Sequence, residues 1–319
     1  MILSLALVLI GIAVLVYSAN VLVESSSDLA LYWGVSLAVV GAIVVGFGTS
    51  LPELAVSLAS AVRDDIDLAT GNVVGSMVAN LSLVLGGAVL ISRSPISTGS
   101  RSLYLYLPLS LLSTVGFIYF IRGGISRWEG GVMLFLLLLS LSLMYKWGAD
   151  DEAGLLSSVK EDDDPTTEKY NLSKELLKLV ASLVGVVAAS YAVTEGAIDL
   201  ADRWGVKSGF IGISLIAVGT SLPELVASTV AAKKGKHALI IGTVLGSNVF
   251  NGFGIGGFIG VIAPGESKDG SIVGAFSTTL TLSAIALSAV FILSGRKIVR
   301  VEAGILLSAY IVWMILVGA

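Results

Sequence analysis

Long apolar runs recur from one end of the chain to the other, separated by short polar stretches. Ten hydrophobic segments can be marked, at 2–23, 36–62, 68–91, 102–121, 129–147, 175–198, 208–232, 238–263, 272–293 and 299–317. A run of about 18 or more apolar residues with few charges predicts a membrane-spanning helix. The short alternating segments of an outer-membrane barrel are absent. The pattern predicts an all-α polytopic membrane protein with ten transmembrane helices. The first segment lacks a basic start and has a counterpart later in the chain, so it is expected to be a retained helix rather than a signal peptide.

The longest polar stretch, 148–174, carries the run Glu161-Asp162-Asp163-Asp164-Pro165 and divides five segments from five. It reads as a solvated acidic linker, without the glycine turn and ligand spacing of an EF-hand. Adding 171 to a residue number maps the first half onto the second without a gap over roughly sixty positions. Glu24 falls on Glu195, Asp28 on Asp199, Trp33 on Trp204 and Gly41 on Gly212. The heptapeptide from Gly48 to Leu54 then falls on an identical one from Gly219 to Leu225. Ser57 follows on Ser228, Gly71 on Gly242, Gly75-Ser76 on Gly246-Ser247, and Asn80 on Asn251. The chain is a duplicated unit. Five helices per unit start the second copy on the opposite side of the membrane, so the units 1–147 and 175–319 are expected to be two inverted five-helix repeats. With both termini outside, the inner loops hold 13 basic residues and the outer loops 6, which makes this the orientation expected and places the linker in the cytoplasm. Trp33, Trp128, Trp147 and Trp204 fit an aromatic belt.

Composition narrows the function classes. The chain is 13% charged with a mean hydropathy of +0.94, against roughly a quarter charged in soluble domains. A net charge of −4 and no basic stripe give no sign of nucleic acid. With no cysteine and one histidine, His237, thiol chemistry and a histidine metal site are excluded, and His237 is expected to be an ordinary loop residue. No nucleophile–base pair lies in the core segments, and Gly48-Thr49-Ser50 lacks the pattern of a phosphate loop. An enzyme is therefore not expected, nor any cofactor or obligatory protein partner.

The repeated Gly-Thr-Ser-Leu-Pro-Glu-Leu is the costly feature, because proline and glutamate both sit inside apolar runs. Pro52 removes one helical hydrogen bond near the middle of its segment, and the freed carbonyl must be satisfied by protein, water or an ion. On a continuous helix Thr49, Ser50 and Ser57 share the face of Glu53. Ser76 and Asn80, and likewise Ser247 and Asn251, lie four apart on the next segment, whose glycines Gly71, Gly75, Gly242 and Gly246 permit close helix approach. If the halves meet, Glu53 and Glu224 converge among hydroxyls, amides and carbonyls, an all-oxygen set that suits hard cations. Residues 35–62, 68–91, 208–230 and 238–267 contain no Lys or Arg, so no protein cation is available there. Either the glutamates carry protons or a solvent cation neutralises them. Both possibilities point to ion or proton transport. Glu24, Asp28, Glu195 and Asp199 lie at or just past the ends of their segments, where water can solvate them.

Two GTSLPEL segments, each followed by Gly-Ser-x-x-x-Asn, resemble the paired α-repeats of the cation/calcium antiporter superfamily, particularly the prokaryotic sodium/calcium exchangers. The resemblance covers essentially the whole chain, with α-repeats at about 36–91 and 207–263. It implies exchange of sodium for calcium across the plasma membrane, with the lipid bilayer and the two ions as partners. The implied site places Glu53 and Glu224 as carboxylates shared by both ions, and backbone carbonyls of Thr49 and Thr220 on calcium. Hydroxyls of Ser50, Ser221, Ser76 and Ser247 and carbonyls of Gly46 and Ala217 serve outer sodium positions, and Asn80 and Asn251 complete the ring. Some members carry aspartate where this chain has Asn251, so only two carboxylates face the ions here and obligatory potassium is disfavoured. Two charges balance one calcium, whereas three sodium ions leave about +1. A proton/calcium exchanger of the same fold and, further off, a cation channel are the alternatives. The serine hydroxyls favour sodium over protons.

Overall fold

The structure, a computed structural model, describes residues 1–98, 103–149, 171–204, 217–266, 274–294 and 297–317. Most of the predicted linker 148–174, and the predicted segment 208–232 up to residue 216, lie outside them. The described residues are helical almost throughout: α1 Ile2–Trp33, α2 Leu37–Thr49, α3 Leu51–Val62, α4 Ile66–Ile91, α5 Leu103–Ile121, α6 Arg127–Ala149, α7 Leu172–Arg203, α8 Ala217–Thr220, α9 Leu222–Lys233, α10 His237–Ile262, α11 Ala275–Ser294 and α12 Arg300–Val317. Among the described residues eight helices are long and apolar enough to cross a membrane, and the bent pair α2–α3 makes a ninth. The chain is a multi-pass membrane protein.

Two expectations about segment ends are corrected. The helices α1 and α7 each run 32 residues, about 48 Å at 1.5 Å per residue, against a hydrocarbon core of about 30 Å. Glu24, Asp28, Glu195 and Asp199 therefore lie on the helices and not beyond them, because a charge ends an apolar run without breaking backbone hydrogen bonds. What ends α1 is Gly34, at φ 62°, whose conformation costs a residue without Cβ little. The segment 36–62 is likewise not one helix. It bends by 43° at Ser50, and Pro52 stands in the first turn of α3, where no N–H is needed.

Burial separates core from periphery. Of the apolar windows, 94% of α10 and 78% of α4 are buried, against 28% for α1 and for α7. Trp33, Trp128, Trp147 and Trp204 are all exposed. The peripheral pair α1 and α7 pack along one another in antiparallel fashion, with Ser4 bonded to Asp199 at one end and Asp28 facing Glu175 and Lys178 at the other. At that second end Lys234, just past α9, bridges to Glu24 at 2.5 Å. A two-residue antiparallel ladder, β1 Ile96–Ser97 with β2 Lys297–Ile298, ties the loop after α4 to the start of α12. His237 accepts the Ser97 N–H at 3.2 Å, a local structural role.

The backbones of α2 and α10 approach closely. A Cβ at Gly41 would stand 2.6 Å from the Leu239 carbonyl and one at Gly46 2.9 Å from the Ser247 nitrogen. Gly242 and Gly246 meet the backbones of Ala38 and Ala42 in the same way. Gly71 and Gly75 are the repeat equivalents of Gly242 and Gly246, and the counterparts of Ala38 and Ala42 against which they would pack, 209 and 213, lie outside the described residues. Gly131, on α6, faces open space. Gly246→Val is expected to destabilise the protein by about 3 kcal/mol or more, because backbone on both sides must move. Gly131→Ala should cause no loss. Thermal unfolding of the detergent-purified variants checks both.

Candidate functional site

Local sequence produces the same backbone twice. Ser50 has φ −87°, ψ 8° and Ser221 φ −87°, ψ 6°, each followed by a helix with proline in its first turn and glutamate one position later. The break turns each glutamate inward at the start of a fresh helix. A second irregularity follows one helix on. Widened π-type turns cover Asn80–Val84 in α4 and Phe250–Ile255 in α10, where backbone hydrogen bonds skip a residue. The pairing of these parts is crossed. The turn at Asn80 packs against α9, which carries Glu224, and the turn at Asn251 packs against α3, which carries Glu53.

Side chains repeat this crossing. Ser50 Oγ donates to Glu224 Oε1 at 2.9 Å, and Ser221 Oγ donates to Glu53 Oε1 at 3.3 Å. Each serine serves the other half's glutamate, not the one three residues along, because the bend at Ser50 takes its hydroxyl off the face of α3. Ser76 faces Glu53. Ser247 Oγ donates to the Gly46 carbonyl at 3.0 Å. Thr49 is buried, donates its hydroxyl to Val45 O at 2.9 Å, and its side chain also lies against Glu224. Thr220 is buried one helix turn before Glu224. Ser57 is engaged elsewhere, accepting from Asn72 Nδ2 at 2.8 Å. The backbone of Ala217 opens α8, whose helix packs against α4.

The electrostatics are severe. Glu53 is 1% exposed and Glu224 0%. Each has one oxygen held by serine, while Glu53 Oε2, Glu224 Oε2, Asn80 Oδ1 and both amide atoms of Asn251 are buried without a partner. Such atoms are normally satisfied, and each leaves a cost of about 1–3 kcal/mol if it is not. Among the described residues the ion pairs are Glu175–Lys178, Asp199–Arg203 and Glu24–Lys234, and none reaches the two central carboxylates. Two buried like charges with spare oxygens and no internal counter-charge form a receptor for a cation or a proton. The surrounding hydroxyl, amide and carbonyl oxygens fit hard cations.

Residues 3–146 and 174–319 match the family described as sodium/calcium exchanger protein. The chain belongs to that family. It is 30% identical over 345 residues to the sodium/calcium exchanger MaX1 of Methanosarcina acetivorans, covering 97% of each chain. It is 35% identical over 268 residues to the inner membrane protein YrbG of Escherichia coli, covering 83% of this chain and 82% of that one. A solved structure of the sodium-calcium exchanger NCX_Mj superposes with a TM-score of 0.81 at 27% identity, covering 98% of this chain and 97% of that one. This family member is accordingly a cation/calcium antiporter, and sodium and calcium are what its family exchanges.

Two asparagines, the half-buried Asn72 and the buried Asn248, escaped the sequence reading. Asn72 donates to Ser57 and, at 3.2 Å, to the Glu53 carbonyl, and Asn248 on α10 accepts from Asn80 of α4. Under the offset they pair with Thr243 and Met77, so a search for repeated residues passes over both. Their position one helical turn from a repeated residue was the available signal. Glu53→Gln and Glu224→Gln each remove one of two repelling charges while keeping the shape. In cation-free buffer at neutral pH each is expected to be at least as stable as the parent, by about 1–4 kcal/mol at most. A lower melting temperature under chelator would show that an internal partner already balances the pair.

Proposed function

We propose that the protein exchanges sodium for calcium across the plasma membrane by alternating access, the two ions competing for one midplane site on Glu53 and Glu224. The observation that carries this reading is the crossed clasp: two buried carboxylates, each held by the other half's serine, with spare oxygens and no counter-charge. Calcium takes both carboxylates and the carbonyls of Thr49 and Thr220. Sodium ions take the outer positions at Ser50, Ser221, Ser76 and Ser247, with the carbonyls of Gly46 and Ala217, and Asn80 and Asn251 complete the ring. Because both ions need the same carboxylates, they exclude one another, and exclusive occupancy couples their flows. Exchange of three sodium ions for one calcium moves one charge and responds to voltage at about 2.3 kcal/mol per 100 mV.

The architecture that this requires is ten helices in two inverted repeats, 1–147 and 175–319, joined by a cytoplasmic linker 148–174, with both termini outside. Its support is the identical break at Ser50 and Ser221 and the antiparallel packing of the equivalent helices α1 and α7. The Glu24–Lys234 bridge then marks which end is shut. The offset relates it to Glu195 and Arg63, which form no ion pair among the described residues. The bridge fastens α1 to the turn after α9 on the cytoplasmic side, and its mirror forms when the site faces inward. With side chains 27% and 67% exposed it contributes on the order of 0.2–1 kcal/mol, enough to bias the two states without locking either.

Calcium uptake into sodium-loaded proteoliposomes at clamped pH should require the outward sodium gradient and be stopped by external sodium. It should fall by about 100-fold or more in Glu53→Gln and Glu224→Gln. Uptake indifferent to sodium and driven by a pH gradient would replace this reading with the proton-coupled one. For the bridge, Lys234→Glu is expected to slow exchange by up to about five-fold, and the swap Glu24→Lys with Lys234→Glu to restore it. A swap no faster than the single change would remove the bridge from the cycle.

A further inference from the structure

The centre of the molecule departs from its own repeat at Asn248. Asn248 is fully buried on α10, one residue after Ser247 and three before Asn251. Its Nδ2 donates to the backbone carbonyl of Met77 at 3.2 Å, and its Oδ1 accepts from Asn80 Nδ2 at 3.0 Å. Ser113 of α5 holds the same residue from behind, donating to the Asn248 carbonyl at 3.1 Å.

The polarity of this chain of bonds is forced. A backbone carbonyl can only accept, so Met77 fixes the amide nitrogen of Asn248 towards itself. The Asn248 oxygen must then face Asn80, and Asn80 must answer with its nitrogen. The Asn80 oxygen is left on the other side, buried and unpartnered. The repeat partner of Asn80 is Asn251, and the repeat partner of Asn248 is Met77. A thioether cannot orient an amide in this way, and the Met77 sulfur instead accepts from Thr114 at 3.3 Å. Asn251 correspondingly has neither amide end bonded.

We propose that Asn248 is a positioning residue that presents the Asn80 oxygen to the transported cation, while Asn251 is left free to turn. The two halves of the ion site are thereby unequal: one amide is preorganised and the other adapts. The chemistry that makes this matter is the sign of the amide end. A carbonyl oxygen attracts a cation, whereas the NH2 group of a flipped amide repels it. This inference rests on the reading of Asn80 as an ion ligand in the proposed exchange.

The test is sodium-driven calcium uptake by the full-length protein in proteoliposomes, read as KM for calcium and kcat separately, with melting temperature measured alongside. Asn248→Met installs the residue that the fold already accepts at the paired position. It is expected to raise the calcium KM about five-fold with kcat within about two-fold, the loss of one orienting hydrogen bond. In an Asn80→Ala background the same change should leave KM unaltered, because no amide remains to orient. An unchanged KM in the first case, or an equal rise in both backgrounds, overturns the proposal. A purely structural role would lower the melting temperature equally in both backgrounds and leave KM alone. Should Asn248→Met fail to fold, Met77→Asn gives Asn251 the missing partner. A lower calcium KM that disappears in an Asn251→Ala background supports the proposal, and an unchanged KM overturns it. If Asn80→Ala alone leaves the calcium KM unaffected, the ligand reading itself fails, which is a separate result.

Discussion

Two glutamates buried together in the middle of an apolar bundle repel one another, and among the described residues no Lys or Arg pairs with either. Most of the local irregularity around them makes sense as a response to this constraint. The helices break at Ser50 and Ser221 so that each carboxylate stands at a helix start. There the free N–H groups and the positive end of the helix dipole favour negative charge. Serines cross between the halves and bind one oxygen of each carboxylate, leaving the second without a partner. A salt bridge to lysine at that point would be more stable and would not transport anything.

The same constraint explains why the core helices are packed so closely. Carbonyl and hydroxyl oxygens can surround a small cation only if their backbones approach within a few ångströms of one another. Glycines at 41, 46, 242 and 246 make that possible where α2 passes α10. The outer helices α1 and α7 face the opposite demand. They must shift against this core if access is to alternate, and the half-exposed Glu24–Lys234 bridge that ties α1 to the turn after α9 is weak enough to be remade.

Duplication made much of this legible. Residues that recur at the 171 offset mark both glutamates and the serines and asparagines that gather around them. The filter was also too strict, since Asn72 and Asn248 touch the site from positions where the repeat has Thr243 and Met77. It was imprecise at the ends of α1 and α7 as well, where polar residues were taken as ends although helical hydrogen bonding continues through them.

Hydropathy and composition act over a few residues, so the chain by itself determined the membrane class and the twin carboxylates, while the break at Ser50 inside the segment 36–62 was seen only in the fold. Nor could the chain determine which serine serves which glutamate. Those bonds join residues 174 and 168 positions apart, and a bend of 43° at Ser50 decides where each hydroxyl points. Only the folded arrangement of the two halves sets that crossing, because hydrogen-bond partnership depends on direction and distance in space, and spacing along a sequence specifies neither across a broken helix.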